Sequence, residues 1–252
     1  MRLYCITHNG SPRHVIERDG EARLVEGDAF DAYELGAPVA LDGAALLPPV
    51  RPSKIVAIGL NYRDHAAEMN KPLPREPLMF MKPSTAVVGP GDAIRMPMWA
   101  GEIHHEAELA VVIGRRASHV KAADAMGHVL GLACGNDVTA RELQRKDVQY
   151  TRAKGFDTFA PLGPCVALGL DPSALAVEGV VNGTVRQSSS TRELIFGVPH
   201  LIEFVSRVMT LLPGDVILTG TPSGVGPLAP GDTVTVRIEG IGELTNSVVE
   251  QS

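Results

Sequence analysis

The chain has 252 residues, 44% of them hydrophobic and 21% charged, with a formal net charge of -6. That is enough apolar material for one large domain, or a main domain with a small appendage, and the acidic balance argues against a nucleic-acid or anionic-membrane partner. Three scattered cysteines (Cys5, Cys134 and Cys165) exclude a disulfide framework, and with no long apolar run or secretory leader pattern the expectation is a soluble, cytoplasmic protein with no membrane partner.

Residues 1–48 read as a small N-terminal unit, with 49–252 as the main domain. Arg2–Thr7, His14–Ile16 and Ala22–Val25 are short strand candidates separated by polar turns. The proline-dense stretch Leu47-Pro48-Pro49-Val50-Arg51-Pro52 cannot continue a helix and marks the boundary. Lys54–Gly59 is a short apolar strand. Asn61–Met69 then reads as a short helix or mobile loop, ended by the proline-rich Lys71–Pro77. His65 and Glu68 are three apart, so one helical turn brings both to one face. A carboxylate beside an imidazole fixes its tautomer and raises its basicity, as a general base requires; the same spacing also describes an ordinary helix-surface pair. Leu78–Met81 is another strand, with Lys82 at its end.

The stretch from His104 to Asp157 holds the densest chemistry. Glu106 and Glu108 stand two apart in an apolar run, so a strand points both to one side and sets Ala107, Leu109, Val111 and Ile113 against a core on the other. Carboxylates held that close repel unless a cation sits between them. Asp137 can supply a third. An all-oxygen triad suits a hard ion such as Mg²⁺ or Mn²⁺, with three solvated acids as the plainer alternative. His104 is in phase with Glu106, and His105 lies on the other side. Zinc would prefer histidine or cysteine ligation, and no compact set supplies it. Lys121–Leu130 has helical spacing, and Thr139 is positioned to cap a short helix through Glu142 and Leu143. Arg141 and Gln144, three apart, can reach the same cavity as Asp137 or lie on a solvated face. Lys154, brought near a metal, can bind a carboxylate or stabilise an enolate; an exposed lysine is the ordinary alternative.

The C-terminal third is built of turns and strands around one clear amphipathic helix, Pro199–Leu212. Pro-Gly-Asp turns recur at 90–92, 213–215 and 230–232, each leading into strand-like sequence. Thr219–Gly226 is a loop of small and hydroxyl residues that lets backbone approach a ligand, but it lacks a Walker lysine. Thr233–Glu239 alternates cleanly, and Glu243–Val249 returns after a glycine reversal. Strands dominate, which makes this a β-rich α/β fold with a mixed sheet or irregular barrel and not a doubly wound sheet.

Six segments taken in order carry a resemblance: GLNYRDHAAEM, FMKPSTAVVGPGD, HHEAELAVVIG, GNDVTARELQ, TRAKGFDTFAPLGP and LTGTPSGVG. From about Ile55 to Val249 the chain resembles the fumarylacetoacetate hydrolase (FAH) superfamily, in its shorter members. The resemblance implies an FAH-type mixed β-roll with a few helices and a small N-terminal domain, usually as a homodimer. It implies Glu106, Glu108 and Asp137 as Mg²⁺ or Mn²⁺ ligands, His65 and Glu68 as the catalytic dyad, and Lys154 as the active-site lysine. Arg141, Gln144 and Thr221 match contacts to the keto-acid end of the ligand, and Lys82 is grouped with them in a less defined role. His105 departs from the Asp, Tyr or Trp of many relatives. The implied substrate is a small 2-oxo or 2,4-dioxo acid. The implied reaction is hydrolytic C–C cleavage of the acylpyruvase or fumarylpyruvate type, with isomerase or decarboxylase chemistry on the same site as alternatives, or a relative that binds without turnover.

Overall fold

In the computed structural model, which describes residues 1–251, strands dominate and the helices are short. The helices are α1 (Arg63–Glu68), α2 (Arg141–Lys146), α3 (Thr151–Lys154) and α4 (Val198–Val208). The larger sheet begins with the N-terminal strands in the order Tyr33–Pro38, Glu21–Gly27, Ser11–Arg18 and Arg2–His8. It continues through Ala160–Ala167, Val129–Asn136, Ala107–Ile113, Val216–Leu218, Ile55–Gly59 and Leu78–Lys82. Ile55–Gly59 runs parallel to Val216–Leu218 among mainly antiparallel neighbours, so the sheet is mixed. A second sheet of five strands packs on it: Thr184–Ser190, Ala176–Val181, Thr233–Ile238, Gly242–Glu250 and Ala93–Met96. Among the described residues no helix is long and apolar enough to cross a membrane.

The alternation of Ala107–Ile113 works as expected on one side and is exceeded on the other. Ala107, Leu109, Val111 and Ile113 pack with Val177, Val236 and the apolar face of α4. Ala110 and Val112 enter a separate cluster with Leu3, Ile16, Ile55 and Val216. The strand is therefore buried on both faces, and each large aliphatic side chain so placed contributes about 1.5–3 kcal/mol. The site hangs from the start of this rigid strand.

Three helix expectations change. Lys121–Leu130 becomes a 3₁₀ segment at Ala122–His128, and Leu130 already belongs to the strand Val129–Asn136, which pairs along Ala107–Ile113. Thr139 does not cap α2: it lies in a two-residue strand, and Ala140 precedes the helix without a side-chain cap. The long helix starts with its proline in the first turn but stops at Val208, because Leu211 leaves to pair its backbone with Ala117. Leu212 then points outward. The strand Tyr33–Pro38 has no alternation to reveal it, being exposed along nearly its whole length.

The three Pro-Gly-Asp turns share one construction. Gly91, Gly214 and Gly231 take φ of 79°, 85° and 96°, the left-handed region that favours glycine. Each aspartate then accepts the N–H three residues back: Gly89 to Asp92 Oδ2 at 2.7 Å, Leu212 to Asp215 Oδ2 at 2.8 Å, and Ala229 to Asp232 Oδ2 at 2.7 Å. Asp215 does more. Its fully buried carboxylate also accepts from Ser53 N at 3.0 Å, Ser53 Oγ at 2.6 Å, Lys54 N at 3.2 Å and the Lys54 ammonium. This one side chain locks the connector to the parallel strand pair. Burial works against its charge, but Lys54, Ser53 and Leu212 prevail and hold its pKa below the usual carboxylate range.

Asp215→Ala strands these donors and is expected to destabilise the protein by about 3 kcal/mol or more in urea unfolding. Because the folded pKa is depressed, the wild-type advantage is present above the unfolded pKa and fades as pH falls through the folded one. A variant with an unchanged unfolding midpoint would remove Asp215 as the lock.

Candidate active site

Ile103–His105 pairs in a small three-stranded sheet, and Glu106 falls in the break before Ala107–Ile113. Buried amides hold that break. Gln187 Oε1 accepts the Ala107 N–H at 2.9 Å and faces His105 Nδ1 at 3.1 Å. Gln187 Nε2 donates to Thr221 Oγ1 at 2.7 Å and the Pro222 carbonyl at 2.9 Å. Asn136 Oδ1 accepts the Glu106 N–H at 3.0 Å, and Thr139 Oγ1 donates to the Asp137 carbonyl at 2.8 Å. Gln187 sits in the strand TVRQSSS without a motif around it, so no sequence signal marks it.

The break delivers three carboxylates to one point. Glu106, Glu108 and Asp137 are buried, and each offers an oxygen within 4.8 Å of the others. Counter-charges come from three elements. Lys154, at the end of α3, donates to Glu106 Oε2 at 2.9 Å and Asp137 Oδ2 at 2.5 Å. Arg141, opening α2, donates to Glu106 Oε1 and to Gln144 Oε1, both at 2.6 Å. Lys82 donates to Asp137 Oδ1 at 2.5 Å and the Val138 carbonyl at 3.1 Å.

These contacts sort the acids. Burial disfavours an ionised Glu106, yet Lys154 and Arg141 outweigh it and hold its carboxyl far below the usual range. Burial likewise works against Lys154, but Asp137 and Glu106 prevail and raise its pKa. Lys82 goes the other way, lowered by burial that Asp137 only partly offsets. Glu108 accepts the Gly220 N–H at 2.8 Å, and burial, then the charges of Asp137 and Glu106, push its pKa well above normal. It is the acid that the lysines leave uncompensated. Three converging hard oxygens with such a member among them fit a divalent cation such as Mg²⁺ or Mn²⁺.

Opposite the acids, His65 Nδ1 lies 3.0 Å from Glu68 Oε2 on α1. The other oxygen of Glu68 accepts the Gly224 N–H at 3.0 Å, tying the helix to the Thr219–Gly226 loop. Asn61 fixes the approach to α1 by donating to the Thr219 carbonyl at 2.7 Å and accepting from Phe196 N at 2.9 Å.

One cavity of about 490 Å³ joins the two sides. It is lined by every site residue expected from the sequence except Lys82, which is fully buried behind Asp137. Lys82, placed near the site with a less defined role, gives its ammonium to Asp137. Thr221 lines the cavity while its hydroxyl donates to the Ala107 carbonyl at 2.9 Å. His104 also lines it, its Nε2 2.9 Å from Glu102 Oε2, whereas His105 turns away onto Gln187 as alternation requires. The sequence reading passed over Lys71, Arg145, Tyr150 and an apolar wall of Ile58, Leu78 and Phe80. For Arg145 a signal existed, since it follows Arg141 by four residues on one helix face.

A family model described as fumarylacetoacetate (FAA) hydrolase C-terminal matches residues 54–249. The chain is 46% identical over 252 residues to the mitochondrial oxaloacetate tautomerase FAHD2A of Bos taurus, a match covering 94% of this chain and 80% of that one. It is similar to the solved 5-carboxymethyl-2-hydroxymuconate delta-isomerase of Mycobacterium smegmatis, with TM-score 0.93, 47% identity and 100% of each chain covered. It is also similar to maleylpyruvate hydrolase from Sphingobium sp. SYK-6 in complex with manganese(II) ion and pyruvate, with TM-score 0.83, 30% identity and 100% of each chain covered.

Glu108→Gln retains an acceptor for Gly220 N–H and removes the least compensated charge. In chelated protein it is expected to raise the melting temperature, with each kcal/mol gained worth about 2–4 °C. The further rise that added MnCl₂ gives the wild type is expected to shrink or vanish in scanning fluorimetry. A metal-induced shift of wild-type size in the variant would take Glu108 out of the ligand set.

Proposed function

The chain belongs to the fumarylacetoacetate hydrolase family, and we propose that it is a divalent-metal-dependent enzyme that cleaves a C–C bond in small 2,4-dioxo acids of the acetylpyruvate or fumarylpyruvate type. The observation that carries this reading is that an imidazole–carboxylate dyad and a buried carboxylate triad face one cavity.

Glu68 at Nδ1 holds the proton on that nitrogen and leaves Nε2 of His65 as the base. Nε2 takes a proton from water, whose oxygen attacks the distal carbonyl carbon of the acylpyruvate. The bond from that carbon to the neighbouring methylene breaks, and its electron pair stays with the pyruvate fragment as an enolate. The His65 imidazolium returns its proton to the methylene carbon, so pyruvate and a carboxylic acid leave. Arg141 and Gln144 orient the keto-acid end, and Lys154 offers its ammonium to the enolate oxygen. Glu106, Glu108 and Asp137 would hold Mg²⁺ or Mn²⁺, which when bound would supply Lewis-acid polarisation of the substrate carbonyl. Lys82 holds the Asp137 carboxylate in place.

A second reading uses the same groups for proton transfer alone, with His65 removing and returning a proton beside the carbonyl. Identities of 46% to a tautomerase and 47% to an isomerase favour it. Decarboxylation of a 2-oxo diacid would pass through the same enolate without an attacking water.

Chelated protein given back Mg²⁺ or Mn²⁺ is expected to release pyruvate and an acid from acetylpyruvate or fumarylpyruvate, as read by NMR. Double-bond migration or keto–enol exchange without a new acid, on oxaloacetate or 2-hydroxyhepta-2,4-dienedioate, would move the protein to the second reading. His65→Ala is expected to lower kcat by about 10²–10⁴-fold while sparing the affinity for a pyruvate-like inhibitor. A variant with wild-type kcat would end the role of His65 as base.

A further inference from the structure

The charges of the cavity do not all cancel. Glu106 and Asp137 are paired with the ammonium and guanidinium groups of Lys82, Lys154 and Arg141, Glu108 takes the Gly220 N–H, and Glu68 serves His65 and Gly224. Two cavity-lining cations are left over, Lys71 and Arg145. Among the described residues neither has a carboxylate partner, and both are exposed. Their places are fixed by backbone. Lys71 N donates to the Ala66 carbonyl at 2.9 Å, closing the chain after α1. Arg145 stands one helical turn, about 6 Å, beyond Arg141 on the same face of α2. Like charges at that spacing destabilise a helix unless an anion lies beside them. Arg141 is drawn inward by Glu106; Arg145 has no such acid.

The same cavity also carries a hydrocarbon lining of Ile58, Leu78 and Phe80. A three-carbon oxo acid at the triad would leave much of the roughly 490 Å³ unused. Resting on the oxo-acid reading above, we propose that the cavity selects dianions. The 2-oxo acid end sits at the triad, a short hydrocarbon spacer lies along the apolar wall, and a second carboxylate is held at the rim by Arg145 and Lys71. These two residues then set specificity against acylpyruvates with a neutral tail, and neither takes part in the chemistry.

The test uses unreactive oxamates, so that binding is read without turnover. Isothermal titration of the Mn²⁺-loaded protein would compare oxamate, N-butyloxamate and N-(3-carboxypropyl)oxamate. The acid-tailed ligand is expected to bind roughly tenfold tighter than the butyl one, a preference that added NaCl weakens because the rim is exposed. In Lys71→Met with Arg145→Met the preference is expected to vanish while oxamate itself binds within about twofold of wild type; both positions are exposed, so surface substitutions there leave folding nearly unchanged. Equal binding of the two tailed ligands by the wild type, or a preference that survives in the double variant, would overturn the proposal while leaving the oxo-acid reading intact. Failure of oxamate to bind at all would overturn both.

Discussion

Three buried carboxylates with oxygens within 4.8 Å of one another repel more strongly than they would in bulk solvent, and much of this fold can be read as the means of holding counter-charges against them. The cations come from distant parts of the chain: the end of Leu78–Lys82, the first residue of α2 and the last of α3. They meet because the acids are anchored at the start of a strand packed on both faces. Gly220 shows how tight the arrangement is. Its φ is +99°, and a Cβ there would meet Asn61 Cβ at 2.8 Å, so only glycine brings this N–H to Glu108.

The other half of the site has a different logic. Glu68 uses one oxygen to orient His65 and the other to bind the Thr219–Gly226 loop. Positioning the imidazole and seating its helix are thus one act. Such a dyad is indifferent to whether the proton it moves comes from water or from carbon. A hydrolase, an isomerase and a tautomerase are all named among the similar proteins.

What the sequence revealed, and what it hid, follow from how far each effect reaches along the chain. Glu106 and Glu108 were legible because strand alternation is local, and His65 with Glu68 because a helical turn is local. The Pro-Gly-Asp turns were legible for the same reason. Lys82 was harder: its strand position was clear, but its pairing with Asp137, 55 residues away, depends on the sheet. Thr139 looks like a helix cap, yet its hydroxyl turns to the Asp137 carbonyl and Glu106 Oε1. Gln187, which holds the break beside Glu106, is 80 residues from its partner Ala107 and carries no local mark. Propensity also failed where burial was absent, as at the exposed strand Tyr33–Pro38.

The pairing of the first strand with one far along the chain has a consequence for how the protein is made. Arg2 pairs with Ala167, Ile55 with Val216, and Ala93 with Ser247. The early strands can fold into hairpins as they leave the ribosome, but their partners do not yet exist. Contacts of such long sequence separation close slowly. Until the last strands emerge, the nascent sheet carries bare hydrogen-bonding edges flanked by apolar faces, the kind of surface that invites pairing with another chain. Biosynthesis is thus the stage at which these edges are most open to mispairing, long before the acids have gathered their cations.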